Sequence, residues 1–294
     1  MIPFEDIVAR LMDARDTAVT NRVRLLQKLA PQITRQIVKD RGPSGPTIFW
    51  GNSGNVDELA HAEIVDPAIL IPLLQLAGQP ANSERPHAGI QHTYGYLFST
   101  IQTPFGKKRD RWTSTSLESA LGLHHDTLSP VPAAGTLLAN ATWVAGQIAF
   151  AGSRRLDWME RCLRARVAPE LLEFSGRANE SLRLIESIKS PGSGRQLHLL
   201  TDLVRTQANS SGVASQRDDV PWLLVYSIHE ENAGWPQLIT MFTVKEDFVT
   251  SIELRARTRK RSDIRLRYNA TVPGIPQHEL SGTVKLLRGH RKDS

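Results

Sequence analysis

Between Arg255 and Arg267 the chain carries seven basic residues in thirteen positions, inside the stretch SIELRARTRKRSDIRLRYNA (residues 251–270). Six of the seven are arginine, whose planar guanidinium takes phosphate or carboxylate oxygens two at a time. The run therefore reads either as an anion-binding surface or as a charged edge that keeps other sheet edges away. Its apolar residues alternate. Ile252, Leu254 and Ala256 fall on one face of an extended chain and Arg255 and Arg257 on the other; Ile264, Leu266 and Tyr268 then oppose Arg265 and Arg267. Two such strands joined at 260–262 would set Arg257 across from Arg265 and Arg255 across from Arg267. Opposed like charges cost on the order of a few tenths to one kcal/mol per pair unless an anion or a carboxylate relieves them.

A second group lies in IQHTYGYLFSTIQT (residues 90–103). Read as a strand, it puts His92, Tyr94 and Tyr96 on one face, with one side chain that titrates near neutral pH and two phenols able to donate to an oxyanion. These three are the candidate catalytic set, and they are expected to border a concave pocket. The following turn bears Lys107, Lys108, Arg109 and Arg111 and leads to Trp112. Basic residues interleaved with aromatics suit a nucleotide or the end of a single-stranded RNA.

Other chemistry-bearing residues read as structural. The loop GNSGN (51–55) lacks the Gly-Lys-Ser/Thr ending of a phosphate loop and the last glycine of a nucleophile elbow, so Ser53 is expected in an ordinary turn. None of the nine histidines forms an i,i+2 or i,i+4 pair, so the sequence predicts no metal site. Cys162, with Met159 and Leu163, belongs to the apolar side of a helix. No dinucleotide glycine fingerprint is present, and no cofactor is expected.

These groups must be held by a chain of 294 residues, 40% hydrophobic and 22% charged, enough for a substantial core. The N-terminal and middle segments read as helices: 4–39 with a break at Pro31, a helix after Asp66-Pro67, a buried helix or strand pair over GTLLANATWVAGQIAFAG (135–152), and mostly helical text to about 209. TIFW (47–50) reads as a strand and VDELAHAEI (56–64) as a helix. From Pro221 onward WLLVYSIH, PQLITMFTV, FVTSIELRART and DIRLRYNA read as strands. The expected class is α+β, with an antiparallel sheet built from the C-terminal strands and a 90–115 hairpin, in a single domain spanning 1–294. The serine-rich 207–219 stretch is the best candidate for an internal boundary.

A net charge of +6 favours an acidic partner, and residues 251–294 hold eleven Lys and Arg against four Asp and Glu. With one cysteine, no export signal and no long apolar run, a cytoplasmic protein that enters no membrane is expected. The sequence points to a group-transfer enzyme acting on an anionic small molecule or a nucleotide- or tRNA-carried substrate, acyl or aminoacyl transfer being the sharper form. The alternative is a non-catalytic RNA- or DNA-binding protein using the basic segments at 104–112 and 255–267. Its oligomeric state is not legible.

Overall fold

The structure, a computed structural model, describes residues 2–57, 59–103, 106–112, 116–174, 180–189, 194–205, 222–258, 264–275 and 280–290. Three amphipathic helices open the chain, α1 (Phe4–Asp13), α2 (Val19–Leu29) and α3 (Pro31–Lys39), the last starting at the proline that the sequence marks as a break. Helix α4 (Pro67–Leu76) starts as its sequence dictates. Asp66 accepts a hydrogen bond from the Ala68 amide at 2.7 Å, and Pro67 occupies the first turn, where no amide is needed.

Helix α5 (Leu137–Ala149) is the central element of the helical layer, and all thirteen of its residues are buried. Thr136 caps it by accepting from the Ala139 amide at 3.1 Å. Two of its polar side chains are satisfied by neighbouring segments: Asn140 donates to the Thr127 carbonyl at 2.7 Å and Thr142 accepts from the Trp50 indole at 2.8 Å. Helix α6 (Arg154–Leu163) follows and packs back against α5.

The sheet has five antiparallel strands: β1 (Glu180–Lys189), β2 (Gln196–Arg205), β3 (Trp222–Glu230), β4 (Gln237–Val244) and β5 (Gly282–His290). They lie in the order β5-β1-β2-β3-β4. Both sheet faces are covered, which accounts for strands that read as nearly continuous apolar runs. Val204, Leu223, Val225 and Met241 face the helical layer. Leu199, Leu203, Trp222, Leu224 and Tyr226 face a second core, closed by helix α7 (Glu246–Thr258) through Val249 and Ile252 and by an irregular segment through Ile264, Leu266 and Ala270. The α+β class is as the sequence indicates.

Several elements differ from the sequence expectation. Residues 88–98 are helical, running through Ala88–Ile90, a π-turn at Gln91–Gly95 and a 3₁₀ turn at Tyr96–Phe98; only Gln102–Thr103 and Gly106–Lys107 remain as a hairpin. Every residue from Ala88 to Ser99 is buried, so strand-like alternation there has no polar side to show. The 252–269 hairpin is absent: its first half is the end of α7, and Ile264 bridges to Leu280 instead. The turn expected at 260–262 lies outside the described residues, as does the 207–219 stretch. TIFW is a 3₁₀ turn (Pro46–Phe49), and 56–63 is a short hairpin in which the Asp57 carboxylate accepts from the Leu59 and Ala60 amides. The supposedly helical text before 209 contains β1 and β2. No described helix is long and apolar enough to cross a membrane.

Candidate functional site

The three residues expected to line a pocket are packed inside the protein. Tyr94 donates its hydroxyl to Asp40 at 2.7 Å, and Asp40 also accepts from Thr136, so this phenol ties the end of α3 to the start of α5. Tyr96 is buried with the Lys108 ammonium 5.3 Å from its ring centre. His92 lies against Tyr96, ring centres 4.8 Å apart. Burial, then the charges of Lys108 and Arg111, lowers its pKa to about 3; the Ile239 main chain approaches without making a well-formed hydrogen bond. His92 is therefore neutral at physiological pH. None of the three lines the cleft of about 40 Å³ between Asn52, Trp235 and Thr271 or the one of about 460 Å³ along α2 and α3. The first has room for a few water molecules and little else. His92, Tyr94 and Tyr96 are buried side chains with little surface open to solvent.

The basic residues are separated as well. Lys107 is exposed on the short hairpin, Lys108 is buried against Asp57 at 3.1 Å, and Arg109 pairs with Glu5. Arg255 and Arg257 are two residues apart on α7, so they point about 200° apart around the helix rather than sharing a face. Arg265 is exposed, whereas Arg267 is buried and contacts Glu186 at 3.2 Å. The four-arginine ladder is corrected to two helix positions and two positions of an irregular segment.

Arg267 lies in a corner with Tyr268 and Asn269 over the second face of the sheet, where the charges of Arg111 and Arg255 are also felt. Tyr268 and Asn269 both have φ of +57°, a left-handed conformation that crowds the side chain of any residue but glycine. For a tyrosine this is strain, and such strain persists where the surroundings overdetermine it. Here they do. The Asn269 carbonyl accepts from the Gly54 amide at 2.5 Å, and Ala270–Thr271 pairs with Asn52–Ser53. That loop is itself locked, since Ser53 donates to Gln91 and Gln91 to Asn55, which in turn binds both main-chain groups of Val65. Ser53 is thus an interior tether in a short strand pair, where the sequence suggests an ordinary turn.

Tyr268 packs edge-on against Tyr226 at 4.9 Å and Phe242 at 5.4 Å, and the Arg111 guanidinium lies 4.6 Å over the Phe242 ring. Burial pushes the Tyr268 phenol up to about 12, opposed by the positive charges of Arg267, Arg255 and Arg111. The Arg111 guanidinium reaches this cluster through the Phe242 ring, and the phenol stays protonated. Beneath it, Thr201 Oγ1 and Arg267 Nε are buried with no hydrogen-bond partner among the described residues, and the Tyr226 hydroxyl lies against the Arg267 main chain without a well-formed hydrogen bond. Thr201 faces Tyr226 directly across β2 and β3, and Arg267 lies beside Tyr226, so these groups share one region of the sheet face. Unsatisfied buried donors are costly and uncommon in native folds, which marks the region beneath the corner as unusual.

The arrangement can hold a negative charge at its rim, on Arg111 and Arg255, and offers aromatic edges beside that charge. Among the described residues neither arginine has a carboxylate partner, and no group of three or more His, Cys, Asp or Glu is placed to hold a metal. Phe242, Tyr226, Thr201 and Glu186 are site residues that sequence reasoning missed; each lies on the strand face that also carries leucines, and alternation alone gives no functional signal there. The chain matches no family model, no curated protein and no solved structure.

Proposed function

We propose that this protein binds an anionic, ring-bearing ligand of the nucleotide class at the Tyr268 corner. Its phosphate or carboxylate would be held by Arg111 and Arg255, and its ring would stack against the Arg111 guanidinium or the exposed part of Tyr268. One observation carries the reading. Among the described residues Arg111 and Arg255 have no carboxylate partner, and the positive charges of both act on the Tyr268 phenol, while Lys108, Arg109, Arg267 and Arg288 are all paired with acidic side chains. Group transfer from a nucleotide or tRNA carrier is the reaction that such a ligand would bring. Toward it the corner supplies charge neutralisation and a phenol that remains a donor; His92, Tyr94 and Tyr96 supply packing. Cys162 is a free thiol, in keeping with the cytoplasmic placement that belongs to this reading.

The test compares the parent with Arg111→Gln/Arg255→Gln in titrations with ATP and with a short single-stranded RNA, each at two salt concentrations. Two lost charge-assisted contacts at a partly exposed site should weaken ATP about tenfold and flatten the salt dependence. RNA bound far more tightly than ATP, with a steeper salt slope, favours the nucleic-acid reading of the same surface. Equal affinities and slopes in parent and variant reject the site.

A further inference from the structure

We propose that His198 and His229 form a two-histidine site for a divalent transition cation of the zinc, copper or nickel kind. The pair stands apart from the Tyr268 corner and does not depend on it. The two residues are thirty-one positions apart in the chain, but the register of β2 and β3 sets them directly opposite each other. Both are partly exposed, and their ring centres are 5.9 Å apart with the planes tilted by 40°.

That separation suits one shared ion. With metal–nitrogen bonds of about 2.0 Å, each ring centre lies roughly 3 Å from the metal, so two rings on one ion are roughly 5 Å apart at a tetrahedral angle and roughly 6 Å apart when nearly opposed. The observed distance falls inside this span without any change of strand register.

The neighbouring strand supplies an orienting group. Ser187 on β1 lies opposite His198, and its Oγ is 2.7 Å from His198 Nδ1. With the proton on Nδ1, the imidazole donates to Ser187 and its Nε2 keeps a free lone pair, the relation by which hydrogen-bonded histidines are held ready for a metal. The adjacent Glu230 is occupied by Arg195, which leaves the two imidazoles as the donors of the site. Imidazole ligands favour zinc, copper and nickel over magnesium and calcium, and water would complete the coordination.

The experiment is a calorimetric titration of the full chain with Cu²⁺ and with Zn²⁺, using Mg²⁺ as the control, on the parent, His198→Gln, His229→Gln and Ser187→Ala. The expected result is one metal equivalent per chain for the parent, at least tenfold weaker in either histidine variant, and severalfold weaker in Ser187→Ala. Mg²⁺ should give no heat. Electron paramagnetic resonance of the Cu²⁺ form should show two coordinating nitrogens, a readout that stands even where a variant fails to fold. Absence of a one-equivalent phase in the parent, an unchanged affinity in folded His198→Gln, or a copper spectrum without two nitrogens would overturn the proposal.

Discussion

Replacing Asp40 with Asn should change how the stability of this protein depends on pH. Asp40 is buried at the end of α3, between Tyr94 and Thr136, and burial raises its pKa from 3.8 to about 7 despite the two hydrogen bonds and the charges of Arg166 and Lys39. The folded state therefore holds a proton that the unfolded chain has released between about pH 4 and pH 7. Stability contributed by the protonated form is complete below about pH 4, is lost as pH rises to about 7, and is constant above. A shift of about three units corresponds to about 4 kcal/mol, an upper value for the difference between the two ends of the window. The asparagine has no proton to lose. Its amide can donate to Thr136 Oγ1 while its oxygen accepts from Tyr94, so the connections are retained.

Urea unfolding of parent and Asp40→Asn from pH 4.5 to 8.5 isolates the effect. His87 and His92, lowered to about 4 and about 3 by burial, act in the opposite direction because the unfolded chain binds their protons first; Asp202, raised to about 6, acts in the same direction as Asp40. These contributions cancel in the difference. Relative to the parent, the variant should gain stability by about 1.4 kcal/mol per pH unit up to about pH 7 and then hold level. A difference that stays constant within about 0.5 kcal/mol across the range would refute an ionisable Asp40 buried in this environment.

Two further outcomes follow from the corner and the ion pairs. Glu186→Ala removes the partner of buried Arg267 and should destabilise the fold by about 3 kcal/mol or more, whereas Glu5→Ala, at an exposed pair with Arg109, should leave the urea midpoint unchanged; equal effects would contradict the burial of Arg267. Asn269→Ala should cost about 1 kcal/mol in urea unfolding while Asn269→Gly stays within about 0.5 kcal/mol, since only glycine takes a φ of +57° without strain. Equal stability of the two variants would mean that the left-handed corner is absent.

How much of this was legible in the sequence differs from element to element. Helix α4 was, because Asp66-Pro67 is a start signal independent of tertiary packing, and β3 and β4 were, because β-branched and aromatic residues crowd between turns. Helix α7 was misread for a physical reason. Ile252, Leu254 and Ala256 alternate like a strand, yet Leu254 is 61% exposed; the working pattern is the helical spacing of Val249, Ile252 and Ala256, headed by Glu246 and Asp247 in the first turn. Strands β1 and β2 were hidden by leucines whose spacing also fits a helix, with Glu186 and Thr201 interrupting the apolar face. Of the candidate site, Arg111, Arg255 and Arg267 were visible as residues, but the action of their charges on Tyr268 depends on contacts between distant segments. The His198–His229 pair is likewise a product of strand register, which no local spacing encodes.

The most direct test of the account is hydrogen exchange of the parent protein with and without saturating ATP, resolved at residues 246–258, 264–275 and 106–112. Ligand held by Arg111 and Arg255 against Tyr268 should slow exchange in all three segments, with the strongest protection at 267–271, and leave α2 and α3 unchanged. Protection confined to other segments, or none at 267–271 while ATP is demonstrably bound, would contradict the placement of the ligand site at this corner.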